Sequence, residues 1–296
     1  MLTTFIQEHR LDKGFEETAQ QWFVPFAEML HAHQKDAKRP FFVGVNGCQG
    51  SGKSTLSDFL KRYFEVNHGL SVVVMSLDDF YYSREDRNAL ARNVHPLLQT
   101  RGVPGTHDVS LVKSVLDALA TGVSTTIPRF NKAVDDTAPI SHWTQVPHRV
   151  DMVIFEGWCW GVPAQDESNL SEPINELERK QDPQSIWRQY VNRQVRQLYS
   201  HLYQKMNYWI MLKAPSFDCV YQWRLQQEQK LAAISSKQAS QGIMSEAEIA
   251  NFIQYYQRLT EHGLRELPAL CNTVFELDNQ RQIQQRIDNN INRESV

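Results

Sequence analysis

An α/β fold, with a five-stranded parallel sheet flanked by helices, is predicted by three features of the sequence. Short apolar runs of the buried-strand kind alternate with stretches of helical periodicity. The first run leads straight into a glycine-rich turn, "NGCQGSGKST". Two later runs end in acidic residues, and open parallel sheets bind their ligands beyond the carboxyl ends of strands.

The elements follow in chain order. Residues 1–38 read as a helical extension, with Phe15, Ala19, Trp22, Phe23, Phe26 and Leu30 at three- and four-residue spacings. "FFVGV" (Phe41–Val45) is the first strand, and "SVVVMSL" (Ser71–Leu77), "DMVIFEG" (Asp151–Gly157), "YWIMLKA" (Tyr208–Ala214) and "NTVFELD" (Asn272–Asp278) are the other four. Helical patterns lie between them at Leu56–Phe64, Ser110–Leu119 and Trp187–Met206. Ser245 and Glu248 form a capping box for a helix carrying Ile249, Phe252, Ile253, Tyr256 and Leu259. The polar, proline-punctuated stretch 163–184 reads as a surface insert.

Length and composition fit a single domain with a sizeable core: 296 residues, 41% hydrophobic and 22% charged. A net charge of −3 gives no global case for nucleic acid or an anionic membrane as partner. Cys48, Cys159, Cys219 and Cys271 are scattered, without metal-ligand spacing, so a reducing compartment is the expectation. The first residues lack an apolar signal core and carry Glu8, Asp12, Glu16 and Glu17. No apolar run reaches membrane-spanning length. A cytoplasmic protein is expected.

The strongest signal is Gly47-Cys48-Gln49-Gly50-Ser51-Gly52-Lys53-Ser54, a G-x-x-x-x-G-K-[ST] loop with a strand before it and a helix after it. Its glycines let successive backbone N–H groups converge on an anion, and the helix N-terminus adds a positive dipole end. The loop through Thr55 is expected to hold a nucleotide phosphate, with Lys53 on the outer phosphates and the Ser54 hydroxyl on Mg²⁺. A guanine-reading N-K-x-D is absent: in "FNKAVDD" Val134 stands where the aspartate belongs, which argues against a GTP switch.

"SLDDFYY" (Ser76–Tyr82) closes the second strand. An aspartate there, beside a phosphate loop, can take a proton from an acceptor hydroxyl and aim it at a γ-phosphate. Asp78 and Asp79 both qualify, and Phe80, Tyr81 and Tyr82 could wall an acceptor pocket. Glu156, ending the third run, is placed to hold Mg²⁺ directly or through water.

These residues, D-x-F-Y at Asp78–Tyr81, E-G at Glu156–Gly157 and the phosphate loop, resemble the P-loop small-molecule kinases that include uridine kinase, phosphoribulokinase and bacterial pantothenate kinase. "RGVPGTHD" (Arg101–Asp108), "PRFNKA" (Pro128–Ala133), "FEGWCWG" (Phe155–Gly161), "LKAPSFDCVYQWRLQQEQKL" (Leu212–Leu231) and "MSEAEIANFIQYYQRLT" (Met244–Thr260) sharpen the resemblance to the plant-type D-glycerate 3-kinases and their fungal and bacterial relatives. The blocks run in order across residues 41–281.

The resemblance implies a P-loop kinase using ATP and Mg²⁺ to phosphorylate the hydroxyl of a small molecule, D-glycerate first. By position it makes Asp78 the general base, with Asp79 contesting that role or holding Mg²⁺. It places Tyr81, Arg101, His107, Asp108, Arg129 and Lys132 around the acceptor. It also puts Arg224 in a lid over residues 217–240, aimed at the transferring phosphates with help from Lys230. Glycerate is a carboxylate, and arginine can clamp one in a bidentate way. The alternatives are the same chemistry on a nucleoside or a pantothenate-like alcohol, and a regulatory ATPase with no small acceptor.

Weaker features carry less. His31 and His33 lie two apart on a helix, do not share a face, and read as surface residues. Trp158 and Trp160 fit loop packing as well as ligand stacking. Cys48 invites a redox role through a lowered pKa, although nothing requires one.

Overall fold

The computed structural model describes residues 1–12, 14–37, 40–234 and 245–291. Three helices, α1 (Leu2–His9), α2 (Gly14–Thr18) and α3 (Val24–Asp36), precede β1 (Phe41–Gly47), which leads through the glycine loop into α4 (Lys53–His68). β2 (Val72–Ser76), α5 (Arg84–Asn93) and α6 (Val109–Thr121) follow. Four short strands come next: β3 (Thr125–Ile127), β4 (Phe130–Asn131), β5 (Asp136–Thr137) and β6 (Thr144–Val146). After β7 (Met152–Gly157) lie α7 (Glu176–Gln181), α8 (Ile186–Gln194) and α9 (Ser200–Tyr203), the last two joined by a π-helical turn. Then come β8 (Tyr208–Lys213), α10 (Asp218–Ile234), α11 (Glu246–Glu266), β9 (Thr273–Leu277) and β10 (Ile283–Asp288).

The central sheet has the order β10-β9-β8-β1-β7-β2. Its first five strands in sequence are parallel, as the apolar runs predict. β10 is an addition to that expectation, pairing antiparallel with β9 at the sheet edge. It escapes sequence reading because, of "IQQRID", only Ile283 is buried; an edge strand need not bury a continuous apolar run. β1 is flanked by β7 and β8, neither its neighbour in sequence, so the crevice opens at the end of β1.

Alternation along the strands builds two core layers. Phe41, Val43, Val45, Met152 and Ile154 face one, while Phe42, Val153 and Phe155 face the other. The N-terminal helices belong to the first layer. Phe26 and Leu30 are fully buried there, and the Phe26 ring meets Phe275 of β9 edge-on at 5.2 Å. Gly44 lets Trp209 cross β1 closely, since a Cβ there would sit 2.6 Å from the indole.

The 163–184 insert differs from a simple surface excursion. Leu170, Leu177, Glu178 and Asp182 are buried. Arg258 of α11 donates from Nε and Nη2 to the two Glu178 oxygens at 2.7 and 2.6 Å. Arg188 donates to Asp182 at 2.9 Å. The stretch reads as polar because its acids are paired internally, with partners on helices that follow it. Of the predicted lid, α10 covers 218–234, while residues 235–240 and the Lys230 side chain lie outside the described residues. No described helix is long and apolar enough to cross a membrane.

Candidate active site

β1 delivers the glycine loop to the sheet's crevice. Gly50 and Gly52 adopt left-handed backbone, with φ of 79° and 95°, which a side chain would strain. Gly47 is equally constrained, because a Cβ there would come within 2.4 Å of the Ser51 Oγ. Lys53 opens α4 at the helix's positive end. The Ser51 hydroxyl and the Gln49 side-chain oxygen are buried in the loop without hydrogen-bond partners among the described residues. Cys48 and Thr55 complete the segment. Burial pushes the Cys48 thiol up to about 12, so the lowered pKa considered from its neighbours does not occur and the residue packs as a small apolar group. Beside the loop opens a cleft of about 410 Å³ lined by Phe15, Lys53, Ser54, Gln226, Arg281 and Gln282.

Glu156, at the end of β7, meets the loop from the neighbouring strand. Ser54 Oγ donates to Glu156 Oε1 at 2.8 Å, and Lys53 Nζ lies 3.9 Å from Oε2. Oε2 is buried with no hydrogen-bond partner among the described residues. Burial raises the Glu156 pKa, and Lys53 works against that. A hydroxyl and an unsatisfied carboxylate oxygen side by side are hard donors suited to Mg²⁺, so these two residues fit the ion.

Asp78 and Asp79 sit on a 3₁₀ turn, Leu77–Phe80, immediately after β2. A hairpin, β4–β5, folds over them. Lys132 Nζ donates to Asp78 Oδ2 at 2.6 Å, and Tyr81 Oη donates to Oδ1 at 3.0 Å. Burial alone would push the Asp78 carboxyl up, but Lys132 and Lys53 outweigh it and hold it down at about 2. Asp79 is engaged differently: Oδ2 accepts from Arg129 at 2.6 Å and Oδ1 from the Phe130 backbone N–H at 3.2 Å. Burial raises its pKa, with Arg129 opposing. Both Asp79 oxygens are thus tied to the hairpin, whereas Asp78 is held by two side chains.

His107 lies beneath this pair, stacked on Tyr81 at 4.4 Å. Tyr199 Oη accepts the Gly105 N–H at 3.1 Å and lies 2.7 Å from His107 Nδ1. Burial lowers the His107 pKa to about 3, so the ring is neutral. His107 Nε2 is buried and has no hydrogen-bond partner among the described residues.

The remaining predicted residues make the following contacts. Asp108 Oδ1 accepts the Leu111 N–H at 2.9 Å and caps α6. Arg101 pairs with Asp135 and lies over the Phe130 ring at 5.5 Å. Phe80 is buried against Phe155 in the core and does not wall the crevice. Arg224 projects from α10 over the Phe252 ring of α11, at 5.9 Å. Trp158 and Trp160 are buried packing residues, and Asn46 of β1 fixes their loop by donating to both carbonyls at 3.1 and 2.8 Å. Sequence reasoning missed Asp135, Tyr199 and Arg281, which lines the cleft beside the loop. Their partners come from distant elements, and no local spacing announces them.

A sheet that gathers a phosphate loop, an Mg²⁺-suited acid and a strand-end aspartate at one crevice defines a P-loop phosphotransferase. Residues 42–168 match the Phosphoribulokinase / Uridine kinase family. The chain is 35% identical over 238 residues to an uncharacterised kinase of Schizosaccharomyces pombe, covering 77% of this chain and 83% of that protein. It is 31% identical over 231 residues to the chloroplastic D-glycerate 3-kinase of Arabidopsis thaliana, covering 73% of this chain but only 46% of that longer protein. The solved D-glycerate 3-kinase of Cryptococcus neoformans superposes with a TM-score of 0.74 at 25% identity, covering 91% of this chain and 98% of that one. The chain belongs to the phosphoribulokinase/uridine kinase family of ATP-dependent P-loop kinases.

Proposed function

We infer that the protein transfers the γ-phosphoryl of ATP to the 3-hydroxyl of D-glycerate. The observation that carries this is the hairpin: two cations, Lys132 and Arg129, stand on the acids at the strand end beside the phosphate loop. A crevice whose acceptor side presents paired cations suits a small anion better than a nucleoside or a pantothenate-like alcohol. In this reading the glycerate carboxylate draws Lys132 and Arg129 toward itself, and Asp78 loses the ammonium that depresses its pKa. Asp78, not Asp79, then takes the hydroxyl proton, because Asp79 remains fixed to the Phe130 N–H. The hydroxyl oxygen forms a bond to the γ-phosphorus as the bond to the β,γ-bridging oxygen breaks, leaving ADP and 3-phosphoglycerate.

Tyr81 keeps the Asp78 carboxylate oriented, and His107 backs the acceptor side by stacking on the Tyr81 ring. Lys53 and the backbone of Gly47–Thr55 hold the phosphates, and Arg224 closes over them. Mg²⁺, held by Ser54 and Glu156, would neutralise charge on the transferring oxygens. Arg101 and Asp108 act on the acceptor side through the loop they shape. The four cysteines, all buried and none in a disulfide, suit a cytoplasmic setting.

Purified protein with Mg-ATP should form ADP only when D-glycerate is added. ATP binding without acceptor-dependent turnover, against glycerate, nucleosides and pantothenate alike, would favour the regulatory ATPase instead.

A further inference from the structure

We propose that Glu28, His31 and His68 bind one divalent transition-metal ion of the zinc class, clamping α3 to the far end of the phosphate-loop helix. One ligand atom from each residue lies within 4.8 Å of the others. Glu28 and His31 are three apart on α3 and therefore share a face. His68 is the last residue of α4, and Gly69, at φ 64°, ends the helix there.

The local geometry already gathers these groups. His68 Nε2 is 3.0 Å from Glu28 Oε1, and the His31 and His68 ring centroids are 3.7 Å apart. Ligand atoms of a tetrahedral zinc site are spaced by roughly 3.4 Å, given metal–ligand distances of about 2.0–2.2 Å. Reaching that spacing needs a shift of about 1.4 Å in the widest pair, with the half-buried His68 ring turning so that its nitrogen and that of His31 both face the ion.

Two further features favour a cation. Tyr63 Oη donates to Glu28 Oε1 at 2.6 Å, the outer contact that orients a ligating carboxylate. The C-terminal end of α4 carries the negative pole of its dipole.

Two imidazoles and one carboxylate suit Zn²⁺, Co²⁺, Ni²⁺ or Cu²⁺, and leave a fourth position to water. Mg²⁺ prefers the oxygen donors at Ser54 and Glu156, which lie at the other end of this 16-residue helix. Ser54 and His68 are separated along the helix by about 21 Å at 1.5 Å per residue. The proposal uses no residue of the nucleotide crevice and stands apart from the acceptor assignment.

Co²⁺ titrated into the nucleotide-free full chain should develop visible ligand-field absorption that saturates at one equivalent and is displaced by Zn²⁺. His68→Asn and Glu28→Gln, both at partly exposed positions, should each weaken Co²⁺ binding at least about tenfold while melting like the parent protein without metal. Glu156→Gln should bind Co²⁺ as the parent does. Absence of stoichiometric absorption, its persistence in both triad variants, or its loss in Glu156→Gln would overturn the proposal.

Discussion

At the scale of single residues, Asp78 and Lys132 set the pH behaviour of the site. Asp78→Asn should lower kcat by about a hundred- to ten-thousand-fold, the usual worth of a general base, with nucleotide affinity unchanged. Lys132→Ala removes the first of the two cations that keep the carboxyl near 2, so the balance shifts toward burial and the Asp78 pKa rises. The acid limb of kcat/KM should move to higher pH, and KM for glycerate should increase; a profile identical to the parent's would remove Lys132 from the site. His107 gives a stability signature of the opposite origin. Its folded pKa, about 3, lies below the unfolded 6.5, so between those values the unfolded chain binds the extra proton. Stability should therefore fall as pH drops through that window, and His107→Gln should flatten the fall in urea titrations run at stepped pH.

At the scale of elements, the β4–β5 hairpin and the 163–184 insert are held by charges from elsewhere in the chain. Glu178 is the test case, a fully buried carboxylate satisfied by Arg258. Arg258→Met leaves that charge uncompensated and should cost about 3–5 kcal/mol by urea unfolding, whereas Glu178→Leu with Arg258→Met should recover much of the loss. These elements also mark where the sequence stops being legible. The phosphate loop, Asp78 and Glu156 could be read because strand, turn and helix are contiguous, and the chemistry demands fixed residue types. The buried pairing of Glu178 could not, since its partner is 80 residues away and polarity alone reads as solvent exposure. For the same reason His31 looked like a surface residue: its neighbour is His68 on another helix, not His33.

At the scale of the molecule, the N-terminal helices are part of the fold's first core layer. Phe26 and Phe23 meet Phe275, while Phe5 meets Phe59 of α4. Phe26→Ala should cost about 3–5 kcal/mol, the range for a buried aromatic truncation, measured by urea unfolding. Phe15, on α2, lines the same cleft as Lys53 and Arg281, so these helices also form part of the wall beside the phosphate loop. The sheet order was legible only in part. Five parallel strands announce themselves as apolar runs, but β10 is mostly polar and becomes visible only through its pairing with β9.

The burial of every cysteine gives the protein a set of silent reporters. Cys48 sits in the phosphate loop, Cys159 after β7, Cys219 on α10 and Cys271 before β9, and none offers a surface sulfur to an alkylating reagent in the native state. Each reacts only when its own neighbourhood opens, so the labelling rate at each position times the local breathing of one part of the molecule. Nucleotide with Mg²⁺ should slow alkylation at Cys48 more than at Cys271, turning an inert thiol into a clock for the loop that holds the phosphates.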